Sequence, residues 1–209
     1  MRVDGRVVRD GTVRVDMARA RITVDDEPVA AEPRVYLMLN KPRGLVTTRH
    51  DPQGRPTIYD CLTDPALPFV SPVGRLDRAS EGLLLVTNDT RWAQRLLDPA
   101  SHVDRRYHVQ IDRIPDDALL ARLHEGVTDQ GEPLAVKEAR VLRAGTRHAW
   151  LEIVLDEGRN RHIRRLLAAL GVEVLRLVRV AMGPVLLGEL PKGAVRELTA
   201  AERRALTVG

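Results

Sequence analysis

Short apolar runs and two-residue alternations outnumber stretches of helical period along this chain, which predicts more strands than helices. The segment Val3-Asp4-Gly5-Arg6-Val7 reads as a strand and turn. Asp25-Asp26-Glu27-Pro28 reads as a turn between Ile22-Thr23-Val24 and Val29, and Ala30-Ala31-Glu32-Pro33 as a linker. Tyr36-Leu37-Met38-Leu39 is a compact strand stopped by Lys41-Pro42-Arg43-Gly44. Prolines 52, 56, 65, 68 and 72 make the stretch 49–73 mostly irregular loop. Gly82-Leu83-Leu84-Leu85-Val86-Thr87 has the length and apolarity of a buried strand, and Asn88-Asp89-Thr90 caps a helix near 91–97.

From 105 to 111 the pattern alternates. Tyr107, Val109 and Ile111 share one face, and Arg106, His108 and Gln110 share the other. A short helix at 116–123 begins after Pro115 and ends before Gly126, with strands near 134–142 and 149–155. Asn160 reads as the N-cap of a helix running through Leu170 and closed by Gly171, with Ile163, Leu166, Leu167 and Leu170 as its apolar stripe. Strands near 174–180 and 184–187 complete the core. The connections are mostly too short for parallel crossovers, so the expected fold class is α+β: a mixed, largely antiparallel sheet with flanking helices.

Composition adds three constraints. Hydrophobic residues make up 44% of the 209, enough for a real core, while aromatics are only 3%, so that core is aliphatic. The single cysteine, Cys61, leaves no internal disulfide and no cysteine-based zinc site. The first residues carry no apolar stretch of a secretory signal and no run approaches bilayer length, so the expectation is a cytoplasmic protein with no membrane partner. The net charge of +4 says little, but its distribution says more. Between 159 and 179 stand six arginines and a single acid, Glu173. Such a patch either meets phosphates or is a solvated face.

Three segments carry candidate chemistry. In Gly74-Arg75-Leu76-Asp77-Arg78-Ala79-Ser80-Glu81-Gly82, a charged loop runs into the most apolar strand, and Arg75 and Arg78 flank a carboxylate that they would keep ionised. On these residues alone, Asp77 reads first as a turn residue. In Glu157-Gly158-Arg159-Asn160-Arg161-His162-Ile163-Arg164-Arg165, positive charge crowds the first turn of a helix against its macrodipole, which points to an anionic partner or to acids elsewhere in the fold. Tyr107 is either core or a platform on which an extruded base stacks.

Together these segments resemble ribosomal RNA pseudouridine synthases of the RsuA/RluB/RluE/RluF type. GRLDRASEGLLLVTND is similar to the family signature, Leu39-Asn40-Lys41-Pro42-Arg43-Gly44 to its first motif, EGRNRHIRRLLAALG to its third and RLVRVAMGPVLLGELPKGAVRELT to its C-terminal block. The resemblance covers residues 34–204 in the family's order. It implies a pseudouridine synthase fold over 34–209 and an enzyme that needs no metal or cofactor. It implies Asp77 as the catalytic carboxylate, Tyr107 stacked on the flipped uracil, and Arg164 paired with Asp77. Lys41, Arg43, Arg75, Arg159, Asn160, Arg161 and Arg165 are the expected RNA-binding residues. His162 departs from the glutamine common in relatives, and Ala79 from a polar residue.

Residues 2–29 resemble only the second half of an S4 RNA-binding domain, so residues 1–33 are expected to be a partial S4-like segment with its linker. The expected protein is a monomer that isomerises a uridine of ribosomal RNA, 23S in preference to 16S. Two other classes stand beside it: a catalytically inactive rRNA-binding or ribosome-assembly factor, and a hydrolase pairing Asp77 with Glu81 or Asp89.

Overall fold

The computed structural model describes residues 1–16, 19–29 and 32–207. Part of the expected linker, Ala30-Ala31, lies outside them. The chain forms two compact units, Met1–Arg34 and Val35–Gly209. In the first, β1 (Arg2–Val3), β2 (Arg6–Val7), β3 (Ile22–Val24) and β4 (Glu27–Pro28) form an antiparallel sheet in the order β2-β1-β3-β4. Asp25 and Asp26, both at positive φ, close the β3–β4 hairpin in the mirror-image turn that suits strand twist.

The second unit contains β5 (Tyr36–Lys41), β6 (Ser71–Pro72), β7 (Glu81–Thr87), α1 (Thr90–Leu97), β8 (Arg105–Ile111) and α2 (Asp117–Glu125). It continues with β9 (Val127–Asp129), β10 (Glu132–Leu134), β11 (Glu138–Ala144), β12 (Ala149–Leu155), α3 (His162–Ala169), β13 (Val174–Met182), β14 (Val185–Leu186), β15 (Val195–Glu197) and α4 (Ala200–Ala205). Among the described residues the main sheet has nine strands in the order β11-β12-β8-β13-β7-β5-β15, with β14 added to β13 and β6 to β7. All its pairs are antiparallel except β7 with β13.

At that parallel junction Gly82 lies opposite Arg179. Its φ is +100°, and a Cβ there would press into the Arg179 backbone, so only glycine allows the strands to meet.

The expected α+β class holds. Three details differ from the sequence expectation. The 134–142 stretch is broken: β9 and β10 form a separate hairpin around Gln130-Gly131, both at positive φ, before β11 begins. Three-residue strands are too short to print a period. Helix α3 starts at His162, not after an Asn160 cap. Arg161 occupies the cap position in the left-handed conformation, φ 49°, with no side-chain cap. Its predicted end at Gly171 holds, through bonds from Gly171 N to Ala168 O and Val172 N to Leu167 O. Finally, β15 and α4 were not anticipated.

The alternation in β8 sets the core. Tyr107, Val109 and Ile111 bury against Leu151 and Ile153 of β12 and against Ile163, Leu166 and Leu167 of α3. Full burial of each such leucine stabilises by roughly 2 kcal/mol. A second cluster, with Met38, Leu83, Leu85, Trp92, Leu96 and Met182, covers the other face of β5 and β7. That is why β7 is buried along its whole length. Strand β11 is exposed at six of its seven residues.

Candidate active site

The loop from Gly74 to Ser80 feeds β7, and its backbone is held from outside at five successive carbonyls. Thr47 Oγ1 donates to Leu76 O at 2.7 Å. Lys41 Nζ donates to Asp77 O at 3.1 Å and to Ser80 O at 2.8 Å. Gly44 N donates to Arg78 O at 2.7 Å. Arg164 donates through one terminal nitrogen to Ala79 O at 3.1 Å, and through the other to Val174 O at 3.2 Å. The segment after β5 and the helix α3 therefore fix the one loop that presents Asp77. A loop with five successive carbonyls satisfied has little freedom to rearrange.

Lys41 ends β5 with no solvent exposure. Its ammonium uses its three donors on three carbonyls, the third being Pro42 O at 3.2 Å. Burial pushes its pKa down to about 8, against the pull of Asp77 and Glu81. The expectation of an RNA-contacting Lys41 meets a side chain sealed inside the fold, where it positions the loop instead.

Beside the loop lies a cavity of about 400 Å³. Its walls include Asp77, Tyr107, Arg105, Arg161, His162 and Arg179. The Asp77 carboxylate is partly exposed, and its cation within ion-pair distance is Arg161, at 3.5 Å. The flanking Arg75 and Arg78 form no ion pair with it among the described residues; both are exposed. Arg164 was expected to pair with Asp77 directly. In this structure its guanidinium holds the loop and β13 through carbonyls, and its Nε, buried, has no partner among the described residues.

Tyr107 sits opposite Arg179 in the register of β8 and β13. Arg179 is buried, donates from Nε to Leu83 O at 2.7 Å, and has a terminal nitrogen without a partner among the described residues. Arg105, two residues before Tyr107, spans the carbonyls of Val103, Asp156 and Leu96. Burial lowers its pKa, but a guanidinium so placed stays charged. The cavity thus combines one carboxylate, one phenol and buried positive charge, suited to a planar polar group and an attached phosphate. His162 is buried against it, 3.5 Å from Glu157. Burial first, then the nearby arginines, lower its pKa against the pull of Glu157, so the ring is neutral.

The remaining residues expected to bind RNA divide. Arg43, Arg75 and Asn160 are exposed. Arg159 bonds Glu157 at 2.9 Å, and Arg165 bonds Asp129 and Glu132, each at 2.6 Å. Acids of the β9–β10 hairpin therefore satisfy Arg165, which the unanticipated hairpin brings beside α3. Sequence reasoning missed Arg105 and Arg179 as cavity residues. Their signal was parity, because each falls on the apolar side of an alternating strand. The carboxylates named for a hydrolase are engaged elsewhere. Glu81 binds Arg176 and Lys192, and Asp89 caps α1. Among the described residues no group of three or more His, Cys, Asp or Glu is placed to hold a metal ion, and no helix is long and apolar enough to cross a membrane.

Comparisons with known proteins follow the same outline. The sequence model of a family described as RNA pseudouridylate synthase matches residues 35–169. The ribosomal large subunit pseudouridine synthase B of Pasteurella multocida is 38% identical over 203 residues, covering 94% of this chain and 59% of the relative. This chain therefore spans less than two thirds of that protein's length. The protein of the same name from Escherichia coli K12 is 37% identical over 211 residues, covering 98% of this chain and 72% of the relative. A protein named uncharacterized RNA pseudouridine synthase, from Aquifex aeolicus, is 36% identical over 97% of this chain and 81% of its own length. A crystal structure of a pseudouridylate synthase superposes with a TM-score of 0.73 at 33% identity, over 98% of this chain and 87% of that one.

Proposed function

This chain belongs to the RNA pseudouridylate synthase family, and we propose that it isomerises a uridine of large-subunit ribosomal RNA to pseudouridine, with Asp77 as its catalytic carboxylate. The reaction breaks the bond between base N1 and sugar C1′, turns the base, joins C5 to C1′, and moves a proton from C5 to N1. It needs no oxidant or reductant. It does need one ionised carboxylate held against the nucleotide, whether that carboxylate attacks the ring or the sugar.

One observation carries this reading: Asp77 stands on a loop whose carbonyls are tied down one after another, at the wall of a cavity that also holds Tyr107. Fixing a reacting group in this way is worth orders of magnitude in rate. On this reading Arg161 pairs with the carboxylate, and Arg164 and Lys41 aim the loop that carries it. Tyr107 stacks on the extruded uracil and takes part in removing the C5 proton. Arg179 offers its unpartnered nitrogen to the base or its phosphate. Arg43, Arg75 and Asn160, all exposed, take phosphates of the RNA flanking the target uridine. The protein acts as a monomer in the cytoplasm, and its small N-terminal sheet, the second half of an S4-like module, adds RNA contacts.

Large-subunit rRNA is favoured because the similar proteins of Pasteurella and Escherichia are named for it. Protein-free 23S and 16S transcripts, incubated side by side and mapped for pseudouridine, test the assignment. Modification is expected in 23S. Modification confined to 16S would move the substrate, and modification of tRNA alone would remove the ribosomal reading.

A further inference from the structure

The sheet face turned away from Tyr107 is built as a second surface of positive charge around an aromatic ring. Strand register puts Arg143, Trp150, Gln110 and Arg176 in one row across β11, β12, β8 and β13. The next row on the same face is Arg140, Glu152, His108 and Val178. Beyond it, Glu138, Val154 and Arg106 form a third. Because side chains alternate along a strand, these rows point opposite to Tyr107 and Arg179.

Two features separate this face from an ordinary solvated sheet. First, its buried acids already have partners. Glu152 accepts from Arg140 at 2.9 Å and lies 3.4 Å from His108, and Glu81 is held by Arg176 and Lys192 at 2.7 Å each. Arg143 and Arg147, both exposed, have no carboxylate within ion-pair distance among the described residues. Second, Trp150 is half-buried, with the guanidinium of Arg143 at 5.3 Å and that of Arg176 at 5.7 Å from its ring centre. It forms a shared wall between two depressions of about 380 and 420 Å³. Arg176 is paired with Glu81, but Arg143 beside the ring and Arg147 in the neighbouring turn leave their charges for a ligand, as a single-stranded nucleic acid requires: bases stack on the ring while phosphates bind the cations.

We propose that this face binds a single-stranded segment of the substrate rRNA outside the cavity, with Trp150 stacking a base and Arg143 and Arg147 holding phosphates. The inference rests on RNA being the substrate, and it names a contact surface separate from the active site.

The test uses the full chain and a protein-free 23S rRNA transcript. In an Arg143→Glu/Arg147→Glu variant, affinity at 0.1 M salt is expected to fall at least tenfold. The slope of log affinity against log salt should flatten by about 1.4, since each phosphate contact on a single strand contributes roughly 0.7. The Arg143→Gln/Arg147→Gln variant should show a smaller loss with the same slope change, and turnover at saturating RNA should stay at the wild-type value in both. Trp150→Phe should bind like wild type, whereas Trp150→Ala should bind several-fold more weakly. Unchanged affinity and slope in both double variants would overturn the proposal, as would a loss confined to turnover. Because binding is read without turnover, the two readings fail separately. Absent pseudouridine with a salt-sensitive loss in the variants would remove the proposed function and keep this surface. Normal turnover with unaltered binding would do the reverse.

Discussion

Replacing Lys41 by Met probes how the fold holds Asp77. Methionine keeps the length of the stem and removes the ammonium. Three hydrogen bonds disappear, to the carbonyls of Pro42, Asp77 and Ser80. Bonds from a charged donor contribute about 1.5–3 kcal/mol each, so the gross loss is roughly 5–9 kcal/mol. Against this stands the relief of no longer burying a cation, a cost that effectively reaches several kcal/mol. That cost is visible in the pKa of about 8. The net destabilisation is therefore about 2–4 kcal/mol, or a fall in melting temperature of roughly 5–15 °C for a chain of this size. The effect on turnover should be larger than the effect on binding, because two of the three freed carbonyls belong to the loop that presents Asp77. A displacement of about 1 Å costs on the order of a hundredfold in rate. The assay is tritium release from a 5-tritiated uridine transcript, which follows loss of the C5 hydrogen, run beside a binding titration. The expected outcome is kcat down about a hundredfold with Kd changed less than threefold. A tenfold rise in Kd with kcat intact would refute the reasoning and return Lys41 to the RNA-contacting role that its sequence position first implied.

The same residue predicts a pH dependence. Its folded pKa lies below its unfolded value, so the folded protein releases the proton first. The penalty for burying the charge is fully present below pH 8 and fades as pH rises toward 10.5. Above pH 8 the neutral amine has only two N–H groups for three carbonyls, so kcat of the wild type should fall between pH 8 and 9, and Lys41→Met should lack that limb. Arg165→Ala should lower the melting temperature by releasing Asp129 and Glu132, yet leave the salt slope of RNA binding unchanged, whereas Arg161→Ala should flatten the slope and lower kcat/KM. Gly82→Ala should cost roughly 3 kcal/mol or more, through strain at positive φ and collision with the Arg179 backbone, and should appear as a sharp loss of thermal stability.

The strands and helices that build the site were legible wherever a period was long enough to read. The alternation of 105–111 gave the buried face of β8, and Asp89, Asp116 and Gly171 marked helix ends as expected. What escaped was either short or set by tertiary contact. The β9–β10 hairpin has three residues a side, and only the folded structure shows that it carries the acids that neutralise Arg165. The α4 helix had a readable signal, the capping box between Thr199 and Glu202, that went unused. The cluster of arginines near α3 read as one basic patch, but the fold sorts it by function. Arg164 ties a loop, Arg165 meets acids, Arg179 lines the cavity, and among the described residues Arg161 stands at ion-pair distance from Asp77. No spacing along the chain encodes that division. It depends on which side of each element faces the loop before β7. Parity did encode part of it: arginines at 105 and 179 on apolar faces are charges the core has to satisfy.

The central claim is that the Asp77 carboxylate drives isomerisation, and mapping pseudouridine in 23S transcripts treated with wild type or with Asp77→Asn tests it most directly. The exchange keeps size and removes the negative charge, while the backbone bonds that hold the loop remain. The expected result is a modified uridine with the wild type, none above background with the variant, and RNA affinity within a few-fold of wild type. Measurable pseudouridine formed by a clean Asp77→Asn preparation would contradict it.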